Sequence, residues 1–202
     1  MFFCAPGMVD LVKDLRGKKV SRFLTATWTS TDSLPFQPIT IISAYETPFD
    51  MEPIQNLGGR AWALSQHSLD PEKALHVPEL YGIWTAKPWM VQQAKDLDPY
   101  GSRYFFWVDA GGFRDSSIKH TFSGLAKAVD RIYSTVPKDT VILSSILPFE
   151  NGLDYVNSVK PTGAMDRSDR IQGGFYGGRS EGIDWWAAET MKVVVMQGVL
   201  GR

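Results

Sequence analysis

At 202 residues and 44% hydrophobic content, the chain is long and apolar enough for one domain with a substantial core, which excludes the disordered and fibrous classes. A net charge of −1 offers no global attraction to nucleic acid or to an anionic membrane, so any bound phosphate must be held by local residues. The single cysteine, Cys4, excludes an internal disulfide framework and leaves the compartment open.

Met1-Phe2-Phe3-Cys4 reads as a short strand, and Ala5-Pro6-Gly7 as a turn. Val9, Val12 and Leu15 then predict a short helix that Gly17 would end. From Lys18 to Pro38, Ser, Thr and Pro separate small apolar pieces, which predicts loop and irregular structure. Ile39 to Tyr45 is β-branched and apolar, hence a strand, with Pro48 and Pro53 beyond its end. Residues 54–79 carry Gly58-Gly59, Asp70-Pro71 and Val77-Pro78 and predict a long surface excursion.

A helix is expected from Pro78, with Leu80, Trp84, Lys87, Val91 and Ala94 on one face. Pro88 removes a hydrogen bond and clashes with the preceding turn, so the helix should kink or restart there. The apolar run Tyr104 to Val108 then enters Asp109-Ala110-Gly111-Gly112-Phe113-Arg114. Such a run predicts a strand buried on both faces of a mostly parallel sheet, ending near Asp109. Phe122, Leu125, Val129, Ile132 and Tyr133 predict an amphipathic helix, and Thr140 to Ser144 another strand. Residues 148–170 are rich in Pro, Gly, Asn and Asp and read as a second mobile loop. Ile171 to Ser180 holds two glycine pairs around Phe175-Tyr176, followed by a helix with Ile183, Trp186, Thr190 and Val194 on one face. Strands alternating with helices point to an α/β fold with a mainly parallel sheet.

No stretch approaches the roughly 20 apolar residues that span a bilayer. Met1 to Ala5 is too short and lacks the basic start of a signal peptide, so the chain as given reads as soluble.

Chemistry is narrowed by elimination. His67, His76 and His120 are scattered, and no HExxH or Cys/His cluster predicts a structural zinc site. GxSxG, GxxxxGK[ST] and GxGxxG are all absent, which removes the nucleophile elbow and the common phosphate cradles. Two glycine-bearing segments remain, at 109–114 and 173–178. An acid at the carboxyl end of a strand is where α/β sheets bind ligands, but it can equally cap a loop and pair with Arg114. Gly-Gly-Phe-Tyr-Gly-Gly can turn backbone amides toward a ligand beside an aromatic platform, or can be a bulge or tight turn packed under the next helix. Lys87 can reach a phosphate or carboxylate in a cleft, or pack its stem and snorkel to water. Seven Trp and 12% aromatic residues are compatible with stacking on sugar rings or bases.

Three segments occur in order: Leu80 to Trp89 (LYGIWTAKPW), Trp107 to Arg114 (WVDAGGFR) and Gln172 to Gly178 (QGGFYGG). Together they resemble the signature of the HtrL/YibB-type proteins, a family related in pattern to nucleotide-diphospho-sugar transferases of the GT-A fold. The resemblance implies a single GT-A-like domain over residues 1–202, a three-layer α/β/α arrangement around a mainly parallel, twisted sheet. It implies a glycosyltransferase-like protein that binds a nucleotide-sugar donor and passes the sugar to an acceptor, with Asp109 as the catalytic carboxylate. Trp84, Lys87, Gly111, Arg114, Gly173, Gly174, Phe175, Gly177 and Gly178 would then contact substrate, with Lys87 and Arg114 offsetting phosphate charge. Many GT-A enzymes carry an Asp-x-Asp motif on a divalent metal where this chain has Asp109-Ala110-Gly111. One carboxylate with diphosphate oxygens would have to hold Mn²⁺ or Mg²⁺. The resemblance also implies a strand and helix before Met1 and further strands after Arg202, so the chain reads as a fragment with an incomplete sheet. Two other readings stay open: a non-catalytic carbohydrate- or nucleotide-binding module or degenerate fragment, and a structural domain whose glycine-rich turns only pack.

Overall fold

The computed structural model describes residues 1–16, 20–23, 28–29, 39–109, 124–145 and 171–200. The chain is mixed α/β and divides into two compact units, Met1–Lys87 with Val194–Arg202, and Pro88–Val193.

In the first unit, β1 (Phe2–Phe3), β2 (Val20–Phe23), β3 (Trp28–Thr29) and β4 (Ile39–Ile42) form a sheet of order β1-β4-β2-β3. β4 pairs parallel with both β1 and β2, and β3 closes antiparallel on β2. The central place of β4 explains its β-branched run: Thr40 and Ile41 are fully buried and Ile42 nearly so. β2 and β3 lie within Lys18–Pro38, where the sequence predicts irregular structure. The short apolar pieces there pair with a stronger neighbour rather than standing as strands alone. Helix α1 (Val9–Arg16) follows the turn at Pro6–Met8 as expected.

The surface excursion expected over 54–79 is instead largely helical, with α2 (Glu52–Leu57) and α3 (Gly59–Leu69). Pro53 sits in the first turn of α2, where its missing N–H costs nothing. Gly58 takes φ 112°, ending α2 in the left-handed region and starting α3 at once. The glycine pair is thus a helix junction. Ahead of it, the Thr47 N–H and hydroxyl both donate to Asp50 Oδ2, at 2.8 and 2.7 Å, and Gln55 Nε2 donates to the Phe49 carbonyl. These bonds fix the entry that buries Phe49, Met51 and Ile54.

Helix α4 (Pro78–Leu97) runs through Pro88 without restarting, and the division between the units falls at that proline.

The second unit contains β5 (Phe105–Val108), α5 (Leu125–Tyr133), β6 (Val141–Ser145), β7 (Ile171–Gly178) and most of α6 (Ser180–Leu200). Its three strands lie in the order β5-β7-β6, and both pairings are antiparallel. The expectation of a doubly buried parallel strand at Tyr104–Asp109 is therefore wrong. Among the described residues β5 lies at the edge of this sheet, with Phe105 buried, Phe106 and Trp107 partly covered and Val108 exposed. A four-residue aromatic run reads the same whether it sits in the middle or on one side of a sheet.

The glycine-rich segment is the central strand β7 rather than a turn. In the register Phe105↔Gly178 to Val108↔Phe175, alternation puts Phe105, Trp107 and Asp109 on one face with Gly174, Tyr176 and Gly178. That face packs Phe105 and Tyr176 against Val91 of α4 and Ile183 of α6, with Trp107, Leu143 and Trp186 around them. Ile183 is 1% exposed, a burial worth roughly 1.5–3 kcal/mol before cavity effects. Among the described residues, no helix is long and apolar enough to cross a membrane.

Candidate functional site

Asp109 leaves β5 still tied to the sheet, its N–H donating to the Gly174 carbonyl at 2.9 Å. Its carboxylate accepts from Trp107 Nε1 at 2.5 Å, a contact favoured because residues two apart on a strand share a face. Gly174 lies opposite, and a Cβ there would stand 3.2 Å from Asp109 Oδ2. The missing side chain therefore leaves the carboxylate at the level of the bare strand.

One step further along β7 is Tyr176, 5% exposed, with its ring 5.9 Å from that of Trp186 on α6. Burial, and secondarily the Asp109 charge, push the Tyr176 phenol far above its usual range. The Tyr176 hydroxyl and Trp186 Nε1 are buried without a hydrogen-bond partner among the described residues. On the opposite face, Phe106 and Phe175 stack at 5.3 Å.

The two ends of β7 differ. At Gly177 a Cβ would lie 2.2 Å from the Phe105 carbonyl oxygen and 2.6 Å from Phe106 Cα. At Gly178 it would lie 2.5 Å from the Tyr133 hydroxyl oxygen and 2.8 Å from the Thr140 carbonyl oxygen. These glycines let strands and the α5 tyrosine approach. A Cβ added at Gly173 would meet none of the described residues within 4 Å. Arg179 follows β7 and lies over Tyr104 and Tyr133, 5.7 and 5.3 Å from their centroids. Five extended residues separate it from Gly174, roughly 16 Å.

Of the residues singled out from sequence, Asp109, Gly173 and Gly174 lie at one end of the β5/β7 pair, and the Phe175 ring lies on the opposite face of the sheet. Gly177 and Gly178 belong to the packed end. Gly111 and Arg114 lie outside the described residues, as does the loop expected over 148–170.

Trp84 and Lys87 are in the first unit, on α4. Lys87 is 6% exposed, and Trp84 packs edge-on against His76 and Tyr81, with centroids 5.1 and 5.4 Å away. That cluster centres on Asp70, which accepts from Tyr81, from His76 Nδ1 at 2.7 Å and from the Glu72 N–H at 2.7 Å. These donors hold the Asp70 carboxyl down at about 2. Tyr81, desolvated and bonded to that carboxylate, is pushed up to about 12.

Sequence reasoning passed over Tyr176, Trp107 and Trp186 as site members. The available signal was period two: once 171–178 is a strand, Tyr176 shares a face with Gly174, and Trp107 shares one with Asp109.

Among the described residues, no group of three or more His, Cys, Asp or Glu side chains could hold a metal ion. Asp109 offers one carboxylate, already accepting an indole N–H. This donor set suits a hard cation held chiefly by ligand phosphates and water, and does not make a protein-built cage. No family model, curated protein or solved structure matches the chain.

Proposed function

We propose that this protein is glycosyltransferase-like and binds a nucleotide-sugar donor beside Asp109. The observation that carries the reading is the placement of Asp109: a carboxylate at the carboxyl end of a strand, beside backbone that Gly174 leaves bare, within a cluster of Trp and Tyr rings. Saccharide ligands are held by this combination of carboxylate acceptors and aromatic faces. The order of the three motifs and the parallel pairing of β1, β4 and β2 support a GT-A-like relationship. Transfer in such a site proceeds by stabilising the leaving diphosphate. A bound Mn²⁺ or Mg²⁺ would supply charge neutralisation there, with Asp109 as its protein ligand.

A second reading, a non-catalytic carbohydrate- or nucleotide-binding module, is favoured by one observation: the Asp109 carboxylate already accepts the Trp107 indole, which orients it for binding rather than for proton transfer.

Isothermal titration with UDP- and GDP-sugars, with and without Mn²⁺, tests the proposal. Asp109→Asn should weaken donor binding at least tenfold while its circular dichroism spectrum stays that of the wild type. Equal binding by both proteins, or none by the wild type, overturns the assignment. Sugar release to water or acceptor by the wild type separates the first reading from the second.

A further inference from the structure

We infer that two copies of this chain pair antiparallel along the outer edge of β5, with a two-fold axis at Phe106, so that Arg103 of the partner subunit stands opposite Asp109. The pairing itself needs no ligand, and only the role given to the arginine rests on the reading above.

Among the described residues β5 pairs with β7 alone. The bond from the Asp109 N–H to the Gly174 carbonyl sets the phase of that ladder. Hydrogen bonds alternate along an antiparallel strand, so Phe105, Trp107 and Asp109 turn their backbone groups to β7, and Phe106 and Val108 turn theirs outward. Val108 is 38% exposed. An open edge invites another strand, and proteins blunt such edges with Lys, Pro or a bulge. Residues 104–108 hold no Lys and no Pro, and their register against β7 runs without a shift. β6, on the other side of the sheet, is interrupted by a shift between Leu143 and Ser144 and makes the poorer edge.

Charge selects the occupant and the register. Arg103 and Asp109 flank an uncharged run of five residues, so a second copy laid antiparallel about Phe106 brings opposite charges together at both ends. Phe106 then exchanges backbone bonds with Phe106 of the partner subunit, and Val108 with Tyr104 of the partner subunit, using the groups that β7 leaves outward. A shift of two residues still pairs those groups but separates Arg103 from Asp109. The interface is isologous and closes with two copies. Within one chain Arg103 is 74% exposed, and its 3.2 Å ion pair with Asp130 is a surface contact of small worth, so exchanging it costs little.

Arg103 and Asp109 would face each other as a non-hydrogen-bonded pair, whose Cα atoms stand about 4.5 Å apart, well within reach of an arginine side chain. A guanidinium there can fork onto phosphate oxygens beside the metal that Asp109 holds, so that each donor site takes its carboxylate from one copy and its arginine from the other.

The test uses the full chain. Sedimentation velocity at micromolar concentration should give a dimer for the wild type. Val108→Pro removes an outward N–H and no bond to β7, so it should sediment as a folded monomer with the wild-type circular dichroism spectrum. Arg103→Asp should raise the dimer dissociation constant by about tenfold or more, and adding Asp109→Arg to the same chain should restore it. Titration with UDP- and GDP-sugars and Mn²⁺ reads the shared site. Arg103→Ala and Asp109→Asn should each weaken donor binding, and an equimolar mixture of the two should regain about a quarter of the wild-type sites or more, because each mixed dimer holds one intact pair.

A wild-type monomer overturns the inference, as does a dimer that survives both Val108→Pro and Arg103→Asp. Should Val108→Pro fail to fold, the charge exchange decides, and no restoration by Asp109→Arg overturns the register. A mixture that regains no sites overturns the shared site. If nucleotide sugars bind a monomer through Asp109, the proposed function stands and the inference fails. If the dimer forms along β5 but no nucleotide sugar binds, the pairing stands and the glycosyltransferase reading fails.

Discussion

Gly177→Ala isolates the packing role of the β7 glycines from any ligand role. The added Cβ would lie 2.2 Å from the Phe105 carbonyl oxygen, 2.6 Å from Phe106 Cα and 2.7 Å from Phe106 Cδ1. Two of these atoms are backbone of the paired strand, so relief requires β5 and β7 to part, not a side chain to turn. Overpacking typically costs about 1–3 kcal/mol, and the upper end applies when backbone must yield. At about 2–4 °C per kcal/mol for a chain of this size, the melting temperature should fall by about 6–12 °C. Gly173→Ala is the control on the same strand, with none of the described residues within 4 Å of the added carbon. Its extended backbone suits alanine, so stability should hold or rise by about 0.4–1 kcal/mol through loss of unfolded-chain entropy. Thermal melting followed by far-ultraviolet circular dichroism reads both. Gly177→Ala melting within about 2 °C of the wild type, or Gly173→Ala losing as much as Gly177→Ala, would refute the assignment of β7 as a tightly paired central strand.

Ile183→Ala empties a site 1% exposed in the second unit and should cost about 2–5 kcal/mol, measured by urea denaturation; a loss under about 1 kcal/mol would place Ile183 outside the core. Acid sensitivity should arise at Asp70, whose carboxyl sits at about 2 against the ordinary 3.8: its contribution is complete above about pH 4 and is lost as pH falls toward 2. Asp70→Asn should therefore flatten the melting temperature between pH 4 and 2, and an unchanged acid limb would remove Asp70 as its source. Tyr81 works in the opposite range, since its phenol is raised from 10.0 to about 12: stability is complete below about pH 10 and is lost as pH climbs toward 12, a limb that Tyr81→Phe should abolish.

How much was legible in the sequence follows from which forces acted locally. The strand at Ile39–Ile42 and the helices at Leu125–Tyr133 and Ser180–Leu200 appear where periodicity places them, because each buries one stripe or both faces of its own residues. Residues 54–79 misled because Gly58-Gly59 and Asp70-Pro71 were weighed as breakers. Gly58 in fact serves as a C-cap that joins two helices, and Pro53 as a helix start. Glu52-Pro53 ahead of Ile54, and the helix-forming Ala61 to Leu64, were the signals for it. The direction of β5 could not be read at all, since pairing partners lie 67 to 73 residues away and a four-residue apolar run fits either sense. Asp109 was legible as a strand-end acid, whereas Tyr176 on the same face, and Trp186 beside Tyr176, become visible only when 171–178 is recognised as a strand.

That recognition reorganises the meaning of Gly-Gly-Phe-Tyr-Gly-Gly. A glycine in the middle of a sheet is normally unfavourable, so four in eight residues need a reason at each place. At Gly177 and Gly178 the reason is internal, because neighbouring backbone and the Tyr133 hydroxyl occupy the space a Cβ would need. At Gly174 the nearest atom is the Asp109 carboxylate oxygen at 3.2 Å, the movable end of a side chain, and at Gly173 there is none within 4 Å among the described residues. Packing explains the second glycine pair, while the first lies where the register against β6 jumps, Leu143 facing Tyr176 and Ser144 facing Gln172, an irregularity that glycine accommodates. Of the two pairs, it is the first that lies beside Asp109.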